Sequence, residues 1–240
     1  MDWCAWHPVL GGEPRVIDSM PTLAELNAEA ARRQLVSGSG MPLSFVPPDD
    51  RDVGYERRAF DKGEVNTRPD NWHDAFNALI WLHFPQAKRR LNQLQAAQIA
   101  VDGVRCVRGP VRDAITVFDE NAALLQAPDA LWDALAARDW QGLFIGRRTL
   151  WAQARLSLFG HALLEKLVHP RKAITAHVLR VPLRLAIAEV DGWLARELSA
   201  ERLAAKPFVP LPVLGVPGWW PANEVSGFYV DEQVFRPPRI

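Results

Sequence analysis

The sequence predicts a mostly helical α+β domain with a small, largely antiparallel sheet and a long irregular C-terminal tail packed on the body. Helical patterns at both ends flank a central run of strand-like segments that do not alternate regularly with helices. The tail, residues 206–240, carries seven prolines together with tryptophans, phenylalanines and a tyrosine, whereas disordered segments are poor in aromatic residues. A length of 240 residues is compatible with a single domain spanning 1–240.

The N-terminal third combines two irregular stretches with one clear helix. Residues 1–20 hold tryptophan, proline and glycine without periodicity, which indicates an irregular arm. The helix "PTLAELNAEAARRQL" follows, with Thr22 and Glu25 at the spacing of a capping box. The next segment, "SGSGMPLSFVPPDDRD", is a loop that contains at most a short strand, at Leu43–Val46.

Residues 69–81, "PDNWHDAFNALIW", predict a buried helix that begins after an Asp/Asn cap. At 100° per residue its surface is apolar nearly all round, and only Asp74 and Ala78 form an outward strip. Such a helix would carry His73, Asn77 and His83 into the core. Pro85 ends it and opens an amphipathic helix, "PQAKRRLNQLQAAQIA".

The middle of the chain changes to strand-like periodicity. "VRCV", "AITVF" and "AALLQ" predict strands, the last two joined as a hairpin by the turn "DEN". A helix "PDALWDALAAR" comes next, and Trp140 to Ala154 predict another helix. "RLSLF" is short and compatible with a strand, whereas "HALLEKLV" predicts a helix and "ITAHVLRV" a strand. Pro182 opens a long helix to about Ala205.

Composition narrows the functional classes. Lysine plus arginine and aspartate plus glutamate both number 28, so the basic stripe on which nucleic-acid binding rests is missing and we expect no nucleic acid as partner. No apolar run reaches the roughly 18 residues of a membrane span, and the N-terminus lacks a signal-peptide pattern. We therefore expect no contact with a membrane. The two cysteines, Cys4 and Cys106, are far apart and outside any CxxC pair, so we expect a protein of the reducing cytoplasm.

Histidines and carboxylates at helical spacing are the candidate catalytic groups. His73 and Asn77 share one face of a predicted helix, and His161 and Glu165 share a face of another. Asp113 and Asp119 would project from one strand, roughly 20 Å apart, which is too far for one acid–base pair or one metal.

Several of these polar residues also have a structural interpretation. Asp74 suits the first helical turn, Asp113 an ion pair with Arg112, and Asp119 to Asn121 a hairpin turn. Arg147 falls in an apolar stripe, so its guanidinium must either be paired or extend outward to water. Asp113, Asp119, Glu120 and Glu165 are candidate carboxylate partners.

Four segments together resemble a bacterial family catalogued as domain of unknown function 3025. They are "RPDNWHDAFNALIWLHFPQAK", "RGPVRDAITVFDEN", "FGHALLEKLVHP" and "LPVLGVPGWWPANEVSGFYVDEQVFRPPR". The resemblance spans about Tyr55 to Arg239. The resemblance implies that the four segments meet in one folded unit, and it implies no activity. It also implies a histidine near the position of Gln95, which this chain lacks.

Two functions fit these patterns. The first is a hydrolase-like or metal-assisted enzyme with His73 and His161 as bases or ligands and with carboxylates drawn from Asp113, Asp119, Glu120 and Glu165, while Asn77 and Arg147 bind substrate. The second is a non-enzymatic scaffold that binds a small molecule or a protein through Trp219, Tyr229 and neighbouring aromatics. Motifs for nucleotide binding and for a serine nucleophile elbow are absent, and neither cofactor nor metal is specified. The enzyme hypothesis requires that His73 and His161 meet around a cleft.

Overall fold

The computed structural model describes residues 20–48, 54–102 and 109–237, and of residue 102 it describes the backbone alone. The predicted N-terminal arm, both cysteines and the predicted strand "VRCV" lie outside these ranges, apart from Met20 at the end of the arm. The α-helices are α1 (Leu23–Arg32), α2 (Tyr55–Lys62), α3 (Trp72–His83), α4 (Pro85–Asp102), α5 (Pro110–Asn121), α6 (Asp129–Ala136), α7 (His161–Val168), α8 (Val190–Glu197) and α9 (Ala200–Ala204). The strands are β1 (Ser44–Val46), β2 (Glu64–Asn66), β3 (Ala122–Gln126), β4 (Arg155–Leu158), β5 (Thr175–Val181) and β6 (Val209–Pro212).

The fold is α+β, as predicted, with two small sheets. The larger sheet has the order β4-β3-β5-β6, in which β3 runs antiparallel to β4 and parallel to β5, and β5 runs antiparallel to β6. The larger sheet is therefore mixed, and the smaller sheet pairs β1 with β2 in parallel. Every residue of β3 is buried, which fits its apolar run from Ala122 to Leu125. The side chain of Gln126, the last residue of the strand, donates to the carbonyls of Pro182 and Leu185.

The predicted strand "AITVF" and its hairpin are wrong, because residues 110–121 form helix α5. Pro110 stands at the first helical position, where its missing N–H costs nothing. Ala114, Ile115 and Phe118 then recur at helical spacing and are buried. In this short segment the β-branched residues that favour a strand also fit one helical face, and packing decides between the two.

Two other predicted helices are interrupted. The predicted helix over Trp140 to Ala154 consists of a short π-helical turn, Gly142–Gly146, and a 3-10 turn, Arg148–Gln153, where two glycines weaken the α-helix. The predicted long helix after Pro182 is broken into a 3-10 turn, Ile187–Glu189, and helices α8 and α9. Ser199 ends the continuity because its side chain accepts a hydrogen bond from the backbone of Arg202 and so caps a new helix.

The C-terminal tail is more regular than predicted. Its residues form β6 and three 3-10 turns, Val213–Gly215, Pro221–Glu224 and Ser226–Val230. Trp219, Phe228, Tyr229 and Phe235 are buried in the main hydrophobic core. The aromatic residues of the tail therefore contribute to the core.

Helix α3 lies between two hydrophobic clusters. Phe76 and Ile80 face the main core, whereas Ala78 and Trp81 face a second cluster built from α1, β1 and β2. The predicted outward strip is wrong, because Ala78 is fully buried and Asp74 is 9% exposed. Within the described ranges, no helix combines the length and the apolar character that crossing a membrane requires.

Candidate functional site

The start of α3 is fixed by two polar contacts that set the direction of His73. The side chain of Asn71 accepts from the backbone N–H of Asp74 and caps the helix. Asp74 in the first turn accepts from Nε and Nη2 of Arg68 at 2.7 and 3.0 Å. Burial alone would raise the pKa of Asp74, but Arg68 outweighs it and the pKa lies below its usual range. Asp74 is thus paired with Arg68, and the neighbouring His73 faces α7.

His73 and His161 meet, as the enzyme hypothesis required. Nε2 of His73 lies 3.1 Å from Nε2 of His161, and the two rings are nearly perpendicular. On its other side, Nδ1 of His73 lies 2.9 Å from Oε2 of Glu165. Glu165 therefore contacts His73, and does not pair with His161 on its own helix. The expectation that His73 is buried is wrong, since its side chain keeps 31% exposure.

Gly160 brings the start of α7 against the end of α5. A Cβ atom at Gly160 would lie 2.4 Å from the carbonyl oxygen of Glu120 and 2.5 Å from the backbone nitrogen of Asn121. Only glycine permits this approach without a shift of backbone. His161, the next residue, consequently lies beside the last turn of α5.

Two carboxylates of α5 face His161. Oδ2 of Asp119 lies 3.7 Å from Nδ1, and Oε1 of Glu120 lies 3.7 Å from Nε2. Burial lowers the pKa of His161 to about 4, although the nearby Asp119 opposes this change. The imidazole is therefore neutral at neutral pH, and its buried Nδ1 has no hydrogen-bond partner among the described residues. Burial also raises the pKa of Glu120.

One donor atom each from His73, Glu120 and His161 forms a compact triad. The three atoms lie within 4.8 Å of one another and come from three different helices. Two imidazole nitrogens bound to one zinc ion at roughly 2.0–2.1 Å, with a tetrahedral angle, lie about 3.3 Å apart. The observed 3.1 Å separation is close to this value.

A buried lysine continues the network away from the triad. Nζ of Lys88 lies 2.5 Å from Oδ1 of Asp119 and 2.8 Å from Oδ1 of Asn77, and its side chain is 5% exposed. Asn77 in turn donates to the hydroxyl of Tyr55. Burial alone would raise the pKa of Asp119, but the charge of Lys88 outweighs it and the pKa lies below its usual range. Burial, reinforced by Asp119, raises the pKa of Tyr55.

These groups line one cavity of about 490 Å³ between helices α2, α3, α4 and α5. His73 and His161 form part of its wall, so a molecule in the cavity would reach the triad. Helix α4 presents Lys88, Asn92 and Gln95 to the cavity from one face.

Four of the predicted site residues lie elsewhere. Asp113 forms an exposed ion pair with Lys206, instead of the predicted pair with Arg112. Arg147 is paired with Asp139 at 3.3 Å, so the prediction of a partner among Asp113, Asp119, Glu120 and Glu165 is wrong.

Trp219 and Tyr229, the predicted binding aromatics, are 7% and 3% exposed. The hydroxyl of Tyr229 lies 3.0 Å from the carbonyl oxygen of Gly215, in the packing of the tail. Neither residue lines the cavity.

Lys88, Tyr55 and Arg68 are cavity residues that sequence reasoning missed. Lys88 stands three residues after Pro85, in a helix whose pattern looked ordinary, and its burial depends on Asp119 from a distant helix. The helical spacing of Asp119 and Glu120 with the apolar residues of α5 was the available signal. The strand assignment concealed it.

Comparison with known proteins places the chain in a family without giving it an activity. Neither a curated protein nor a solved structure matches the sequence significantly. A family model with the description "Protein of unknown function (DUF3025)" matches residues 43–239, which include every residue of the triad and of the lysine network. The chain belongs to this family.

Proposed function

We propose that the protein is a metal-dependent hydrolase whose divalent ion is held by His73, Glu120 and His161. The observation that carries the proposal is the approach of the two Nε2 atoms to 3.1 Å, with Glu120 as a third donor in the same cluster.

The positions of the protons on His73 and His161 favour a bound cation beside the two rings. An ionised carboxylate only accepts hydrogen bonds, so Nδ1 of His73 carries a proton toward Glu165 and, in the neutral ring, Nε2 carries a lone pair. If neutral His161 bears its proton on Nδ1, two Nε2 lone pairs face each other at 3.1 Å. If it bears the proton on Nε2, its Nδ1 lone pair is buried against Asp119. Each tautomer therefore places two acceptors against each other.

The cation is either an additional proton on His73 or a metal ion. A proton needs only the two imidazoles, whereas a metal ion needs further donors. Glu120 supplies a third donor atom, and Glu165 holds the outer nitrogen of His73, as carboxylates commonly do for metal-bound histidines. These two features favour the metal ion.

The residues around the triad suit hydrolysis in the cavity. A divalent ion there would polarise the scissile carbonyl and lower the pKa of water. Glu165 would fix the orientation of His73. Lys88 carries three N–H groups and uses two of them on Asn77 and Asp119, so it is placed to donate to a substrate oxygen.

The scaffold hypothesis loses its basis, since it requires an exposed groove of tail aromatics. Trp219 and Tyr229 are buried in the core, and the histidines contact each other rather than a single carbonyl.

Hydrolysis of p-nitrophenyl esters and p-nitroanilides by the full chain tests the proposal. We expect that removal of metal by a chelator abolishes hydrolysis, that added Zn²⁺ restores it, and that Glu120→Gln lowers it. His169→Gln changes an exposed histidine outside the cavity and serves as the matched control. Hydrolysis that survives chelation and is equally fast in Glu120→Gln would overturn the proposal.

A further inference from the structure

The cavity has a second end, remote from the triad. Helix α4 contributes Lys88, next to Asp119, and Gln95 seven residues later on the same face. At 1.5 Å per residue the two positions lie about 10 Å apart along the helix axis. Glu56, in the first turn of α2, meets Gln95 at this second end.

Gln95 presents an oxygen that lacks a partner. Its Nε2 donates to Oε1 of Glu56 at 3.3 Å, which fixes the amide orientation because a carboxylate accepts and does not donate. Oε1 of Gln95 is buried without a hydrogen-bond partner among the described residues, and the whole residue is 6% exposed. Asn66 lines the same cavity and has an unpartnered Oδ1 of the same kind. A ligand that reaches these oxygens must supply N–H or O–H donors, since a buried acceptor otherwise stays unpaired.

The charges of the cavity wall favour a cationic donor. Arg68 is paired with Asp74 and Lys88 with Asp119, so both lining cations are neutralised locally. Glu56 has no ion pair with any residue that the structure describes. The second end therefore offers the carboxylate of Glu56 and the amide oxygen of Gln95, both of them acceptors.

We propose that this end binds the protonated primary amine of a linear substrate whose acyl group reaches the triad. The substrate class is an amine-terminated amide or ester, and hydrolysis adds water across the acyl bond to give a carboxylic acid and an amine or alcohol. The inference rests on the proposed function for the acyl group, whereas the amine site depends only on Glu56 and Gln95.

Calorimetric titration of the metal-free full chain separates the two claims. Three probes of matched length are used: 6-aminohexanamide, heptanamide, which has a methyl group in place of the amine, and the monoamide of adipic acid, which has a carboxylate there. Gln95→Met removes the free oxygen at nearly constant volume. Gln98→Met, on the same helix but outside the cavity wall, is the matched control.

We expect 6-aminohexanamide to bind at least about tenfold more tightly than heptanamide, since a buried acceptor otherwise stays unpaired, and to bind more tightly than the adipic monoamide. Gln95→Met should remove most of this preference, and Gln98→Met should keep it. Equal or tighter binding of heptanamide by the wild-type protein would overturn the inference, even if Gln95→Met does not fold. An amine preference that Gln95→Met leaves unchanged would also overturn it. Because no metal is present, this outcome is independent of whether the triad binds zinc.

Discussion

Nε2 of His73 and Nε2 of His161 lie 3.1 Å apart although the two residues are separated by 88 positions in the chain. Helix α3 carries one ring, and the close approach of α7 to α5 carries the other. The contact depends on Glu165 behind His73 and on Gly160 before His161. Glu165 and Gly160 can each be replaced separately.

Replacement of Glu165 by glutamine should weaken metal binding. Glu165 fixes the proton of His73 on Nδ1 and so leaves Nε2 free to coordinate. We expect Glu165→Gln to lower Zn²⁺ affinity about 10- to 100-fold, measured by competition with a chromogenic chelator. The matched control is Glu232→Gln, at an exposed position outside the cavity wall. Equal affinity in the two variants would show that Glu165 does not support the triad.

A methyl group at position 160 should push α7 away from α5. The Cβ of Gly160→Ala would meet the backbone of Glu120 and Asn121, which cannot rotate away. We expect a loss of about 1–3 kcal/mol in the free energy of unfolding, from urea denaturation, together with weaker metal binding. Gly227→Ala places the same methyl group in open space and should stay within about 0.5 kcal/mol of wild type. A Gly160→Ala variant as stable as Gly227→Ala would contradict the close approach.

Removal of Lys88 should leave Asp119 without its cation. Asp119 keeps 26% of its side chain exposed, so Lys88→Met should cost about 2–3 kcal/mol of unfolding free energy, below the full cost of a wholly buried ion. The combined variant Lys88→Met/Asp119→Leu should be less destabilised than the sum of the single changes.

The ion pair between Lys88 and Asp119 should also make the free energy of unfolding depend on pH. Asp119 has a pKa below its usual value, so its contribution is present above the unfolded pKa and is lost as pH falls through the folded pKa. In Lys88→Met this acid-side loss should shrink. Additive single effects, with an unchanged acid limb, would contradict the coupling.

His177 on β5 should make the fold sensitive to mild acid. Its burial, with the positive charges of Lys166 and Lys206 nearby, lowers the pKa of this imidazole. A lowered histidine pKa means that the folded state favours the neutral ring, so stability is full above the unfolded pKa of about 6.5 and falls below it. We expect His177→Gln to lose less unfolding free energy than wild type between roughly pH 8 and pH 5. His161 remains in both proteins, so the difference between the two isolates His177. Parallel pH profiles would be evidence against a partly buried, neutral His177.

Local signals predicted the capping box of α1, the helix that carries His73, and strands β3 and β5, and they were compatible with β4. They failed where two periodicities fit one short segment, as in "AITVF", or where glycine and serine interrupt an apolar stripe, as after Trp140 and before Ala200. The site residues were likewise predicted only in part. His73, His161 and Glu165 stood out as polar residues at helical spacing. Asp119 and Glu120 were assigned to a turn because the preceding segment was assigned to a strand. Lys88 was missed because its burial depends on Asp119 from another helix, a contact that no local pattern encodes.

Cobalt titration of the metal-free protein, followed by visible absorption, tests the metal triad most directly. We expect one Co²⁺ ion per chain with the intense bands of a low-coordinate site that contains imidazole and carboxylate. His73→Ala and Glu120→Gln should each weaken this binding strongly, and His169→Ala should match wild type. Saturable binding that depends on both His73 and Glu120 is the predicted result. No specific Co²⁺ or Zn²⁺ binding by the folded wild-type protein, or binding that both changes leave intact, would contradict a metal centre at this site.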